Sequence, residues 1–183
     1  MELETERLLL RPWRETDAAN LYAFAREPAV GKAAGWRPHC SEAESLRVIR
    51  EVFSAPDTFA IVPKSRGFPC GCINIMYGPD ANVPLAPDEG EIGFWLGVPF
   101  WGQGWMSEAL RAVVRYGFSR RGLSRIWCAY FAGNHGSRRV QEKCGFVFHH
   151  VLRDIFWKPT GEVQTMYVQA ISRDAESAAE EQA

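Results

Sequence analysis

Hydrophobic and polar positions alternate along the chain in two rhythms. Residues 7–13, RLLLRPW, form a dense apolar block that predicts a first strand. Thr16 and Asp17 follow as helix-capping residues, and Ala18, Leu21, Tyr22 and Ala25 then recur at helical spacing. That helix is expected to stop near Pro28, and GKAAGWRPHC, 31–40, reads as a loop. Ser41 with Glu44 is a capping-box pair, opening a second helix whose apolar stripe is Leu46, Ile49 and Phe53. TFAIVP, 58–63, and CGCINIMYG, 70–78, are strands joined by the turn KSRGFP. The proline-rich run PDANVPLAPDEG, 79–90, is a surface loop, and EIGFWLGV, 91–98, is the central strand. Met106, Ala109, Leu110, Val113, Val114, Gly117 and Phe118 then keep a helical spacing until Gly122. RIWCAYF, 125–131, is a strand, and Asn134 caps a fourth, mostly polar helix that stops at Gly145. FVFHHVLRDIFW and QTMYVQAI close the pattern as two strands around the turn KPTG.

Strands joined by turns imply antiparallel pairs, and strand–helix–strand units imply some parallel pairing. The expectation is an α+β fold: a mixed, mostly antiparallel sheet of about seven strands with about four helices on both faces. With 183 residues, 46% of them hydrophobic, the chain can bury one core. We expect a single domain over 1–172 and an acidic, alanine-rich, disordered tail over 173–183.

Charge and cysteine usage narrow the classes. Lys and Arg total 21 against 22 Asp and Glu, so no basic excess points to nucleic acid or an anionic membrane. Apolar runs are too short for a membrane span, and the acidic start MELETERLLL is unlike a secretory signal. Five cysteines with no CxxC pattern read as reduced thiols in a cytoplasmic protein. The four histidines lack zinc-ligand spacing, so no metal is expected.

Between the central strand and the most regular helix lies WGQGWMSEAL. Backbone N–H groups at a helix start lack intrahelical partners and sit at the positive end of the helix dipole, so a phosphate can satisfy several at once. Gly102 and Gly104 let the backbone turn tightly and approach such an anion without Cβ obstruction. A P-loop would need Lys-Ser/Thr after the second glycine, where Trp105 and Met106 stand; a dinucleotide loop would need a third glycine, where Ser107 stands. Alone, the Gly-x-Gly is also compatible with an ordinary tight connection.

Three blocks taken together carry more. ETERLLLRPWRETDAANLY, EIGFWLGVPFWGQGWMSEAL and NHGSRRVQEKCGF, in this order, resemble the GNAT superfamily of acetyl-CoA-dependent N-acetyltransferases, and most closely its Rim-type branch, which includes ribosomal-protein N-terminal acetyltransferases. The resemblance covers nearly the whole chain. It implies the GNAT fold, with the sheet splayed at the cofactor site and acetyl-CoA as co-substrate. The pantetheine arm would lie along the strand ending at Leu96–Val98, and the diphosphate on the N–H groups of Gln103, Gly104, Trp105, Met106 and Ser107. A primary amine, from a protein N-terminus or a small molecule, would attack the thioester directly, with no metal and no acyl-enzyme.

The same resemblance frames the roles of single residues. Glu91 is the candidate base, with Glu89, two residues earlier on the same strand face, in reserve or as an acceptor contact; both also read as strand-end surface carboxylates. Many family members place an acidic Tyr in the last helix, where this chain has Gln141; in the Rim-type branch a serine substitutes, which here is Ser137. Asn134 is expected to cap its helix and touch the pantetheine amides. Of Arg138 and Arg139, both placed to meet cofactor phosphates, one is expected to stay a solvated charge, and Arg139 is taken as the contact. Trp101 is expected to lie against the helix, with cofactor contact as its second role, and Trp36 to shape the acceptor site unless it folds onto the core. An acyl-CoA-binding module without catalysis is the alternative reading, and a homodimer through an apolar edge strand is one assembly the sequence allows.

Overall fold

The computed structural model describes residues 1–174; the expected tail beyond them, 175–183, lies outside the described residues. Eight strands form one sheet: β1 (Leu3–Glu4), β2 (Leu8–Arg11), β3 (Thr58–Pro63), β4 (Gly71–Met76), β5 (Glu89–Leu96), β6 (Arg125–Phe131), β7 (Val147–Trp157) and β8 (Glu162–Ser172). Their order is β1-β2-β3-β4-β5-β6-β8-β7. Every neighbouring pair is antiparallel except β5–β6, whose crossover runs through a helix. The strand beyond the seven expected is β1, two residues too short to leave a periodic signal.

The helices are α1 (Ala18–Ala25), α2 (Pro28–Ala34), α3 (Glu42–Glu51), α4 (Trp105–Ser119) and α5 (His135–Lys143). Leu8, Leu10, Ile61, Ile73, Ile92 and Ile126 meet α4 through Ala109, Leu110 and Val113 on one sheet face. Trp13, Ala60, Val62, Cys72 and Trp95 meet Leu21, Ala25, Val30 and Ile49 of α1–α3 on the other. Val83 of the proline-rich loop covers Trp127, Val168 and Ala170 as a third cluster.

Two local expectations are corrected. Residues 31–34, read as loop, belong to α2, which opens on Pro28, where a missing N–H costs nothing; α1 itself ends at Ala25, just short of Pro28 as expected. Gly35 ends α2 in the left-handed conformation, and Gly31 is required because a Cβ there would lie 2.7 Å from the Trp36 carbonyl oxygen. Asp17, read as a cap, makes no cap bond to α1. Its buried carboxylate instead accepts two hydrogen bonds from the Arg11 guanidinium, at 2.7 and 2.9 Å, and one from the Arg14 backbone N–H at 2.9 Å. Ser41 does cap α3, accepting from the Glu44 N–H at 3.1 Å, while the Glu44 carboxylate reaches back to the Cys40 N–H.

Candidate active site

Strands β5 and β6 pair only at Glu89–Arg125, Gly90–Ile126 and Glu91–Trp127. Beyond that point they separate, while β5 stays paired with β4 as far as Leu96 and β6 with β8 as far as Phe131. A cleft of about 690 Å³ opens between them. The Gly97 N–H bonds to the Cys70 carbonyl on the β4 side. Strand alternation therefore turns the peptide groups of Ile92, Phe94 and Leu96 toward the cleft. There the Leu96 carbonyl accepts from the indole N–H of Trp101 at 2.6 Å. By the same logic the Ala132–Thr165 bond leaves the peptide groups of Ala129 and Phe131 facing the cleft from β6.

Helix α4 begins at one end of this opening. Gly104 is its N-cap at φ +78°, with no side-chain cap, and Gly102 adopts φ +75° with open space where a Cβ would stand. The first helical bond runs from the Glu108 N–H to the Gly104 carbonyl, so the N–H groups of Trp105, Met106 and Ser107 have no helical partner. The turn is tied from outside: Arg7 Nε and Thr5 Oγ1 each donate to the Glu108 carboxylate at 2.6 Å, and Arg7 Nη1 donates to the Gln103 carbonyl. A glycine cradle, an uncapped helix start and a free strand edge are what a diphosphate carrying an extended amide arm needs, so the residues present fit coenzyme A.

Helix α5 begins on the same cleft. Asn134 Oδ1 caps it by accepting from the Ser137 N–H at 3.0 Å, and Asn134 Nδ2 donates to the Ala33 carbonyl, tying α5 to α2. Gln141 is fully buried, and its Nε2 donates to Ser137 Oγ at 3.1 Å and toward the Ala129 carbonyl at 3.4 Å. A carbonyl only accepts, so the amide nitrogen must face it. The Ser137 oxygen is thereby an acceptor toward Gln141, and its own proton is free to point elsewhere.

Glu91 lies on the opposite sheet face from α4, only 2% exposed. Its carboxylate accepts from the Asn82 N–H at 2.5 Å, Asn82 Nδ2 at 3.0 Å and the Val83 N–H at 3.3 Å. Burial pushes its pKa above the usual carboxylate value, and the Asn82 and Val83 donors pull against that rise.

The structure brings Glu91, Leu96, Gly104, Trp105, Met106, Ser107, Asn134, Ser137 and Arg139 onto the cleft wall. It places four expected residues away from that wall. Val98 is exposed in the turn after β5, and Gln103 bonds to Pro99 on the outside of the glycine loop. Glu89 is engaged by Trp127 Nε1, the Ala86 N–H and Arg125, beyond the closed end of the cleft. Trp36 folds onto Trp95 edge to face, on the core side of the wall. Trp101, expected against the helix or, second, against the cofactor, is 47% exposed, lines the cleft and donates to the Leu96 carbonyl at the end of β5.

Sequence reasoning missed Asn82, Phe131, Trp157 and Met166, which also line the cleft. Trp157 reaches it from β7, donating its indole N–H to the Gly35 carbonyl at 2.6 Å and crossing Phe131 edge to face. No local pattern signals these residues, since each becomes part of the site only through the sheet order. Cys128 lines the cleft as well, with burial holding its thiol well above the usual value; all five cysteines are free.

Comparison with known proteins places this geometry. Residues 7–147 match the acetyltransferase (GNAT) domain family. The chain is 32% identical over 163 residues to the uncharacterised N-acetyltransferase YoaA of Bacillus subtilis, spanning 85% of this chain and 88% of that protein. Among solved structures, a GNAT-family acetyltransferase from Bacillus anthracis superposes with a TM-score of 0.82 at 23% identity, covering 95% of this chain and 99% of the other. The ribosomal L7/L12 α-N-protein acetyltransferase RimL, solved with coenzyme A, superposes with a TM-score of 0.75 at 19% identity, covering 96% and 99%.

Proposed function

The chain belongs to the GNAT acetyltransferase family, and from that premise we propose that it moves an acetyl group from acetyl-CoA to a primary amine by direct attack within a ternary complex, as a Rim-type enzyme. The observation that carries this reading is the end of β5–β6 pairing at Glu91–Trp127, which leaves a free strand edge leading to the bare N-terminus of α4. The domain responsible is the segment 1–172.

Acetyl-CoA, when bound, supplies the activated acyl group as a thioester. The N–H groups of Trp105, Met106 and Ser107 hold the diphosphate, with Arg139 of α5 as a counter-charge on the same wall. The cleft-facing peptide groups of β5 fix the arm, and the Leu96 N–H stabilises the oxyanion that develops as the amine attacks. Holding both reactants at attack distance supplies most of the acceleration.

Two protons must move. An α-amine with a pKa near 8 needs only about one unit of help at neutral pH. Glu91, made more basic by its burial, takes that proton directly or through water. Ser137, its oxygen held by the Gln141 donor, points its hydroxyl hydrogen at the leaving sulfur and stabilises the thiolate; any proton it passes on is returned to the serine oxygen by water.

The test is turnover. With acetyl-CoA and a pool of N-terminal peptides and small amines, free thiol should appear only when an acceptor is present, and the acceptor should gain one acetyl group by mass. Ser137→Ala should lower kcat by roughly 10–100-fold while leaving acetyl-CoA affinity within about twofold. Binding of acetyl-CoA without acceptor-dependent thiol would instead favour the non-catalytic module.

A further inference from the structure

The two walls of the cleft differ in chemistry, and the difference bears on the acceptor. Side chains of Ile92, Leu96, Met106 and Cys128 belong to the α4 side of the sheet. The other side, away from the start of α4, is walled by Val30, Ala33, Trp95, Phe131, Trp157 and Met166. Its one charged group is Glu91, already bonded to Asn82. Its other polar side-chain groups are neutral: Asn134 and the indole N–H of Trp157, both bonded to α2 or its cap, and the unpaired indole N–H of Trp95. The cationic side chains lining the cleft, Arg139 and Lys143, stand in the second half of α5, away from its start at Asn134 and His135, which is tied to Ala33.

Resting on the acetyl-transfer reading, we propose that the acceptor is a monoamine with an apolar or aromatic body, either a free arylalkylamine or a peptide N-terminus with an apolar first side chain. One ammonium meets one carboxylate, Glu91, and loses its proton there. A second ammonium on the same molecule finds no other carboxylate among the described cleft residues. It would have to shed its water against Trp95, Phe131 or Trp157, or approach Arg139 and Lys143. Cation–π contact with those rings recovers only part of that cost. An aromatic body gains from the same walls, because they remove its apolar surface from water.

The experiment compares kcat/KM for phenethylamine and a peptide amide with N-terminal Phe against spermidine and an aminoglycoside, by thiol release at fixed acetyl-CoA. At least one aromatic monoamine should exceed both polycations by about 100-fold, the factor expected from burying a phenyl ring. Whichever of the two aromatic arms leads separates a free amine from a peptide N-terminus. Ala33→Asp, which adds a second carboxylate to the apolar wall, should narrow the gap to spermidine by about tenfold. A polycation turned over as well as the aromatic acceptors overturns the inference and leaves the transferase standing. No thiol release from any of the four, with acetyl-CoA bound, overturns the inference; the same result with the full pool of N-terminal peptides and small amines overturns both.

Discussion

Glu91 is held between two opposing forces. Burial favours its neutral form, while Asn82 and Val83 supply three N–H donors that favour the anion. The balance leaves the folded-state pKa above the ordinary value of 4.5. Such a carboxyl binds its proton more tightly in the native state, so its contribution to stability is complete below the ordinary pKa and is lost as pH rises through the raised one. Glu91→Gln removes that penalty, and the Asn82 side-chain amide can turn to accept from the new donor. The variant should therefore melt higher than the native protein at about pH 7.5 and match it below about pH 4, while kcat falls by roughly 100-fold or more. Asn82→Ala removes one donor to the anion, so the acid limb of its kcat/KM profile should move to higher pH. A melting curve for Glu91→Gln that follows the native protein at every pH, or an unmoved acid limb in Asn82→Ala, would contradict this account. Glu91 was legible as a candidate base because it heads the apolar central strand. Its partner was not, because Asn82 reaches it from a loop that looks like solvated turn.

At the scale of elements, what could be read depended on length and period. α4 runs for fifteen residues with an unbroken apolar stripe, and the sequence places it within one residue of its observed start. α2 has seven residues and opens on Pro28, so propensity and punctuation both argue against it. Its formation depends on tertiary contacts: Val30 is buried in the α1–α3 core, and the Ala33 carbonyl receives the Asn134 amide. That short helix contributes Val30 and Ala33 to the apolar wall proposed for the acceptor, so this side of the cleft was less legible than the glycine loop. Gly104 holds φ +78°, where an L-residue pays about 1–2 kcal/mol and a β-branched one more. Its ideal Cβ would meet only Arg7 Nη2, at 3.4 Å, so the fold has room for a side chain even though the diphosphate would not. Gly104→Val should keep its circular dichroism spectrum, lose a few degrees of melting temperature, and show no acetyl-CoA binding by calorimetry. Normal affinity in that variant would move the diphosphate away from the start of α4.

The departure of β6 from β5 is a property of the whole sheet, and no single segment announces it. Both strands are mostly apolar in the sequence, and each is paired on its outer side along the gap, β5 by β4 from Glu91 to Leu96 and β6 by β8 throughout. Only the order of the sheet shows that their inner edges face a gap beyond Glu91 and Trp127. A ligand that fills this gap adds a link between two halves of the molecule, β1 to β5 and β6 to β8, which otherwise meet in three residue pairs of parallel ladder, the packing around α4, the Val83 cluster and the ties from Glu89, Asn134 and Trp157. Binding to the native state alone stabilises it by about 2.7 kcal/mol at a concentration one hundred times Kd, which for a chain of this size raises Tm by roughly 5–10 °C. Coenzyme A should produce that shift. Adenosine 3′,5′-bisphosphate at the same concentration should produce a much smaller one, because it reaches the start of α4 without an arm to lie along β5. Hydrogen exchange separates the two contributions: coenzyme A should slow the amides of residues 92–96 as well as those of residues 105–107, and the bisphosphate only the latter at most. Equal protection of residues 92–96 by both ligands would mean that the strand edge plays no part in binding, and that the opening between β5 and β6 serves the acceptor alone.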